Sequence, residues 1–257
     1  MSKLFATERR QKILDLLHDK QRITVKELSE KLHVSEATLR TDLNVMEEEG
    51  LLVRTHGGAM IDDKNRAENT FSEREKKNRS EKKKIGRKAM EFIHNGQCIL
   101  LDASSTCLEL AYLLKHTSMR LTVVTNGVTT AMELRENPNL TVILLGGILR
   151  NSSVALEGLL GSEILKQIHV DTMFSSAKGF TLEEGLTDFN VYEVELKKFL
   201  VNSSSRLIAL LDHTKIGRSS IASFASTDKV DTIITDEFAS ESYIKEIERQ
   251  QINLIVV

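Results

Sequence analysis

Several things are scarce in this 257-residue chain, and each scarcity removes a class of function. It has two cysteines, Cys98 and Cys107. Nine residues apart, they match neither a zinc spacing nor a disulfide framework, so both read as packing residues of a reduced compartment. No apolar run approaches the ~20 residues that cross a bilayer, and the opening MSKLFATERRQK lacks a signal-peptide core. These absences predict a cytoplasmic protein with no membrane partner. No His, Cys, Asp and Glu cluster has metal-ligand spacing, no nucleophile elbow occurs, and Gly146-Gly147 belongs to no G-x-G-x-x-G fingerprint. The expectation is no metal and no cofactor.

Charge is nearly balanced at −2, but unevenly spread. Residues 1–60 hold ten basic and ten acidic side chains, residues 61–90 eleven and six, and the rest fourteen and twenty-one. A polyanion can therefore be met only by the first third of the chain, through local placement of charge. The length admits two domains.

Three helical patterns fill the first sixty residues. ERRQKILDLLHDK places Ile13, Leu14 and Leu17 at helical spacing, and TVKELSEKLH opens with a capping box, Thr24 and Glu27. After a link of about three residues, Ser35 is a good N-cap for a third helix expected to run to Gly50. Short helix, tight turn and longer helix is the helix-turn-helix arrangement, whose second member enters the major groove. LLVRTHGGAMI then reads as strand, Gly-Gly turn and strand, a β-wing. On the third helix Leu39, Leu43 and Met46 form one stripe; the opposite face is small and polar. The candidate DNA contacts there are Ser35, Ala37, Thr38, Arg40, Thr41 and Asn44. Ala37 suits a thymine methyl and Arg40 a guanine edge or a phosphate. Arg54 and His56 of the wing suit the sugar-phosphate backbone or minor groove. Asp42, beside the stripe, reads as an internal pairing residue.

Residues 62–96 are polar, then helical. Ile85, Ala89, Phe92 and Ile93 form an apolar stripe, and Lys82-Lys83-Lys84 reads as a solvated helical face. From Gln97 the pattern alternates strands and helices. QCILLD, LTVVT, LTVILLGG, VDTMFSSA, RLIALLD, VDTIITD and INLIVV are mostly continuous aliphatic runs, as in a covered parallel sheet. Such sheets bind ligands beyond the carboxyl ends of their strands. There stand Asp102, Ser104, Ser105 and Thr106, then Thr125 and Asn126, Gly146, Gly147 and Arg150, Lys178, Asp188 in the loop GLTD, and Lys215 in DHTKIG. The hydroxyls and helix N-termini suit a phosphate, and Arg150, Lys178 and Lys215 supply positive charge.

Both halves resemble the DeoR family of bacterial transcriptional regulators. The first resemblance runs almost continuously from Arg9 to Ala59 and includes the RTHGGA wing. The second rests on LDASST, TVVTN, VILLGGILRNSS, GLTD and LLDHTKIG, which are similar to the family's sensor domain; Phe71, Arg74, Asn78 and residues 84–86 resemble its linker. The resemblance implies a winged helix-turn-helix at 1–60, a linker at 61–80 and an α/β sensor domain at 81–257. It implies a mostly parallel sheet in that sensor, as in sugar-phosphate isomerases. It also implies double-stranded operator DNA as partner, a phosphorylated sugar as effector, repression of carbohydrate genes and a homo-oligomer, dimer or tetramer. The family usually has two adjacent arginines where this chain has Arg40-Thr41. Loss of the second predicts a missing guanine or phosphate contact and a reading that tolerates A·T.

The alternative is an isomerase-like enzyme carrying a DNA-binding module. Aldose–ketose isomerisation needs a base beside the carbonyl. SSAKGF, after the fourth predicted strand, has no carboxylate. Glu157, Asp188, Asp212 and His213 are the remaining bases, each with an ordinary structural role open to it. A ligand-sensing regulator is the better reading.

Overall fold

Seven of the strands in this computed structural model form one all-parallel sheet, and they are the seven aliphatic runs. The structure describes residues 5–20, 22–48, 51–60, 71–150, 153–250 and 252–257. The expected helix end at Gly50 and the stretch 61–70 lie outside them. The chain divides into two compact units, Met1–Glu73 and Arg74–Val257.

In the first unit, α1 (Ala6–Lys20) precedes a short strand β1 (Arg22–Thr24), α2 (Val25–Leu32) and α3 (Glu36–Glu48). Thr24 caps α2 through the expected box: its hydroxyl accepts from Glu27 N while Glu27 accepts from Thr24 N. His33, in the left-handed region at φ 55°, ends α2 and turns the chain into α3. Ile13, Leu17, Leu28, Leu39, Leu43 and Met46 are fully buried. Asp42 is buried too, and it accepts from Arg9 Nη2 at 3.1 Å and Arg10 Nε at 3.2 Å, the internal pairing its position predicted. The wing consists of β2 (Val53–Thr55) and β3 (Gly58–Met60), with β3 between β1 and β2. Gly58 is required there, because a Cβ would stand 2.1 Å from the Ile23 carbonyl oxygen.

The second unit continues from α4 (Phe71–Lys76), which carries the chain across the boundary, into α5 (Arg79–Ala89). The strands of the large sheet and their helices follow. They are β4 (Cys98–Leu101), α6 (Ser105–Leu114), β5 (Leu121–Thr125), α7 (Val128–Leu134) and β6 (Leu140–Leu144). After a short pair, β7 (Ile148–Leu149) and β8 (Leu156–Glu157), the chain crosses to β9 (Thr172–Ser175). The excursion β10 (Gly179–Thr181) and β11 (Gly185–Asp188) precedes α8 (Val191–Asn202). The chain closes with β12 (Leu207–Leu210), β13 (Ala222–Ala225), β14 (Thr232–Thr235), α9 (Glu241–Glu248) and β15 (Asn253–Val256).

The sheet order is β15-β14-β12-β9-β4-β5-β6. Every residue of β9, β12 and β14 is buried. Because alternate side chains point to opposite faces, both faces of the sheet's centre must be covered. Helix α5 packs on β12 and β14 and crosses α6 closely; a Cβ on Gly86 would lie 3.1 Å from Leu110 N. Ile85, Ala89 and Ile93 are buried as the stripe predicted, with Phe92 half-buried.

Two expectations need correction. GLTD is strand β11, not a loop; it joins β10 and β13 in a separate antiparallel sheet. Lys82 is not part of a solvated face. It is buried, its Nζ donating to the Arg74 carbonyl and, at 2.6 Å, to that of Lys77, whereas Lys83 and Lys84 are exposed.

Candidate functional sites

The outer face of α3 carries Ala37, Arg40, Thr41 and Asn44, all exposed. Ser35 caps the helix: its Oγ accepts from Thr38 N at 3.3 Å and lies 2.8 Å from Thr38 Oγ1. Arg40 pairs with Glu36 one turn earlier, at 3.1 Å and half-exposed, a contact that water screens and that a phosphate can displace. Thr41 donates its hydroxyl to the Ala37 carbonyl at 3.2 Å, so its proton is held within the helix. Arg54 has partners within the protein. It lies over α3, donating from Nη1 to Asn44 Oδ1 and, at 3.2 Å, to the Arg40 carbonyl, while its backbone N–H donates to Glu47. It braces wing against helix here; His56 at the wing turn is exposed.

In the large sheet the chain steps β4, β5, β6 in one direction, then returns to place β9 on the other side of β4. That reversal opens a crevice beyond the carboxyl ends of β4 and β9. A small, solvent-open cleft lies there, lined by Arg74, Ser104, Ser105, Ser176, Ala177, Lys178, Asp188, Glu193, Lys197 and Lys215. Ser104 and Ser105 follow β4, Ser176 to Lys178 follow β9, and Lys215 follows β12, three neighbouring strands. Five of the twelve predicted positions thus converge: Ser104, Ser105, Lys178, Asp188 and Lys215.

The other seven do not line the cleft. Asp102 lies buried beneath it, accepting from Ser104 N, Ser175 Oγ and Ser176 N, and so shapes the floor. Thr106 is buried within α6. Thr125 accepts from Gly127 N, and Asn126 ties Ala103 N to the Leu156 carbonyl. Gly146 packs against Gly161 and Gly147 against Glu157. Arg150 pairs with Glu157 at 2.9 Å and covers the Tyr192 ring at 4.8 Å. For Thr125, Asn126, Gly146, Gly147 and Arg150 the reason is lateral distance. Strands sit about 4.8 Å apart, and β5 and β6 lie beyond β4 on the side away from β9.

Of the bases considered for an enzyme, Glu157 is held by Arg150 and Asn190, Asp212 by Asn78 and Thr214, and His213 by Asp236. Asp188 alone reaches the cleft, bound to Lys197 at 2.8 Å.

Arg74, read only as part of the linker, and Ser176, Ala177, Glu193 and Lys197 were not among the predicted cleft residues. Glu193 and Lys197 had a signal: they stand four apart on the buried stripe of α8, with Val194, Leu196, Leu200 and Val201. Lys197 is the electrostatic centre, 3.4 Å from Asp102, and donates to Ser176 O at 2.9 Å. Burial pulls its ammonium down, but Asp188, Asp102 and Glu193 outweigh that and hold it well above the ordinary lysine range. Burial likewise pushes Asp102 and Asp188 up, and Lys197 prevails in holding both below the usual carboxylate range.

Lys178 and Glu193 are poised near neutrality. Burial, then Lys215, lowers Lys178 to about 8, and burial lowers Lys215 despite Asp212. Burial raises Glu193 to about 7, against the pull of Lys197. A carboxyl raised on folding stabilises fully below its unfolded value near 4.5 and loses that contribution as pH rises through 7. Glu193→Gln is therefore expected to stabilise the fold at pH 8 by on the order of 2 kcal/mol and leave it unchanged at pH 4.5. Thermal unfolding of both proteins at the two pH values checks this; equal shifts at both would refute it.

Among the described residues no group of three potential ligands is placed to hold a metal, and no helix is long and apolar enough to cross a membrane.

Residues 9–65 match the DeoR-like helix-turn-helix domain and residues 77–237 the DeoR C terminal sensor domain. The chain is 46% identical over 245 residues to the HTH-type transcriptional regulator GolR of Listeria innocua, covering 95% of this chain and 96% of that one. It is 30% identical over 231 residues to the glycerol-3-phosphate regulon repressor of Escherichia coli, 90% of each. Among solved structures, ribose 5-phosphate isomerase A from Methanocaldococcus jannaschii is similar at 16% identity and TM-score 0.41, over 54% of this chain and 55% of that one.

Proposed function

Because this chain belongs to the DeoR family of transcriptional regulators, we propose that its cationic cleft binds a phosphorylated sugar or sugar derivative. Binding releases the protein from a double-stranded operator and relieves repression of carbohydrate-utilisation genes. The observation that carries this is one cluster: Arg74, Lys178 and Lys215 around the Ser104 and Ser105 hydroxyls at the sheet's reversal point. The cations suit a dianionic phosphate, and the Asp188 and Glu193 carboxyls suit sugar hydroxyls as acceptors. A relative named as repressor of a glycerol-3-phosphate regulon supports a phosphate ester as ligand.

α3 reads the operator through Ala37, Thr38, Arg40 and Asn44, with Ser35 fixing its first turn. Thr41 leaves one contact fewer than an arginine would. The protein acts as a dimer or larger assembly. Exposed Leu144, Ile148, Leu149, Leu159 and Leu160, on segments joined by the Gly146–Gly161 approach, support a contact surface there. The effector releases DNA only by binding the DNA-free arrangement more tightly, with a coupling of about 1–3 kcal/mol, roughly 5- to 150-fold in operator affinity.

The test is fluorescence anisotropy on a duplex from upstream of the protein's own transcription unit, at fixed salt. One member of a sugar-phosphate panel should weaken binding within that range, and its unphosphorylated parent should not. Lys178→Met should raise the half-effective concentration of the ester about tenfold or more. Lys178 is charged below about 8 and anion binding favours the charged form, so ester affinity should decline as pH rises past 8. Equal effects of parent and ester, or turnover of the ester, would sink the reading.

A further inference from the structure

The chain enters the sensor unit at Arg74, one residue after the DNA-binding unit ends at Glu73. Arg74 has two attachments to the cleft. Its side chain lines it, and its carbonyl accepts from Ser105 Oγ at 3.2 Å and from Lys82 Nζ. Lys82 also holds the Lys77 carbonyl, so one buried ammonium caps the carboxyl end of α4, where helix carbonyls lack internal partners. Two residues on, Asn78 takes the left-handed conformation at φ 52° and donates to Asp212 at 3.0 Å. Asp212 caps the turn bearing Lys215. The elbow between α4 and α5 is thus pinned to two of the strand-end segments that form the cleft.

Ser105 is the member of this set with competing duties. A serine hydroxyl has one proton to donate. Here it goes to the Arg74 carbonyl, and an anion seated on the Ser105 hydroxyl requires the same proton. The bond to Arg74 must then break, while Lys82 stays on that carbonyl.

We propose that Ser105 and Lys82 form a latch on the Arg74 carbonyl that reports occupancy of the cleft to the chain entering the DNA-binding unit. Ser105 is the switching donor. Lys82, which does not line the cleft, is a positioning residue that keeps α4 in register with it. The proposal rests on the effector reading above and adds the route by which binding is transmitted.

Ser105→Ala and Lys82→Met separate this from a purely local role. The full chain is titrated on operator with and without glucose 6-phosphate, fructose 1-phosphate and glycerol 3-phosphate. Binding of each ester is measured separately by calorimetry, and folding by thermal unfolding. A mere ligand contact at Ser105 would leave operator affinity unchanged in the absence of ester. The latch predicts that Ser105→Ala shifts it threefold or more toward the wild-type ester-bound value. For Lys82→Met the latch predicts ester affinity within threefold of wild type, but weakening of operator binding at saturating ester reduced to below twofold. Lys82→Arg, which keeps a charged donor, should recover most of it.

Ester-free operator affinities within 1.5-fold of wild type, together with full weakening at saturation in both variants, would overturn the latch and leave the effector reading standing. If calorimetry detects no ester on the wild-type protein, the effector reading fails and the latch falls with it.

Discussion

Lys197→Met is expected to destabilise the sensor unit by about 3–5 kcal/mol, the usual cost of removing one partner from a buried ion pair. Asp102 and Asp188 are both buried, and Lys197 is the cation that faces both. Methionine fills much of the same volume, including the space over the Phe224 ring where the ammonium now sits at 4.8 Å. The loss is therefore mainly electrostatic. For a unit of this size it corresponds to a fall in Tm on the order of 10 °C.

The dependence on pH should reverse. In the native protein the lowered carboxyls contribute stability above the ordinary carboxylate range, and that contribution is lost as pH falls. Without Lys197, burial is opposed only by the hydrogen bonds to Asp102 and by Arg74 and the Phe189 N–H at Asp188; both carboxyls should rise, so the variant should gain stability on acidification. Adding Asp188→Asn should recover part of the loss, since a neutral amide needs no counter-charge. Unfolding curves from pH 4 to 8 for wild type, single and double variants measure all three effects. A loss below about 1 kcal/mol would mean that the cleft floor is wet enough to screen its charges.

The second large effect is predicted on the other unit. Ala37→Glu should reduce operator affinity on the order of 100- to 1000-fold, because like charges forced together across an interface cost several kcal/mol. Ala37 is exposed in the first turn of α3, on the face that carries Arg40, Thr41 and Asn44. A carboxylate there favours the helix through its dipole, so stability should hold or rise slightly. Affinity for the sugar phosphate should not change. That combination isolates DNA contact from folding. An operator affinity within threefold of wild type would show that this face does not approach DNA.

Much of the architecture was legible because it rests on local chemistry. The capping box at Thr24 and Glu27, the stripe of Leu39, Leu43 and Met46, and seven aliphatic runs each specify an element from within a few residues. β11 was missed because nothing in GLTD marks it as a strand, and of its two partners β13 is distant, Leu186 pairing with Ala225 as well as with Phe180 of the adjacent β10. The protein partners of Arg54, Asn44 and the Arg40 carbonyl, were not legible because they are brought to it only when the wing folds back on α3.

For the cleft the division falls along the same line. The sequence by itself determined that polar, phosphate-compatible turns stand at the carboxyl ends of the strands, since each turn is a local transition from an aliphatic run to a capped helix. Which of those turns meet was decided by the strand order, set by long-range packing that seats β9 beside β4 and leaves β5 and β6 on the far side. Tertiary structure also decided where the charges go. Lys197, Glu193 and Lys82 are ordinary solvated helix charges in any local window. They become a buried ion centre, a carboxyl poised near 7 and a helix latch only because the faces that carry them are turned inward. Burial strengthens each of these interactions by removing the water that would otherwise screen it.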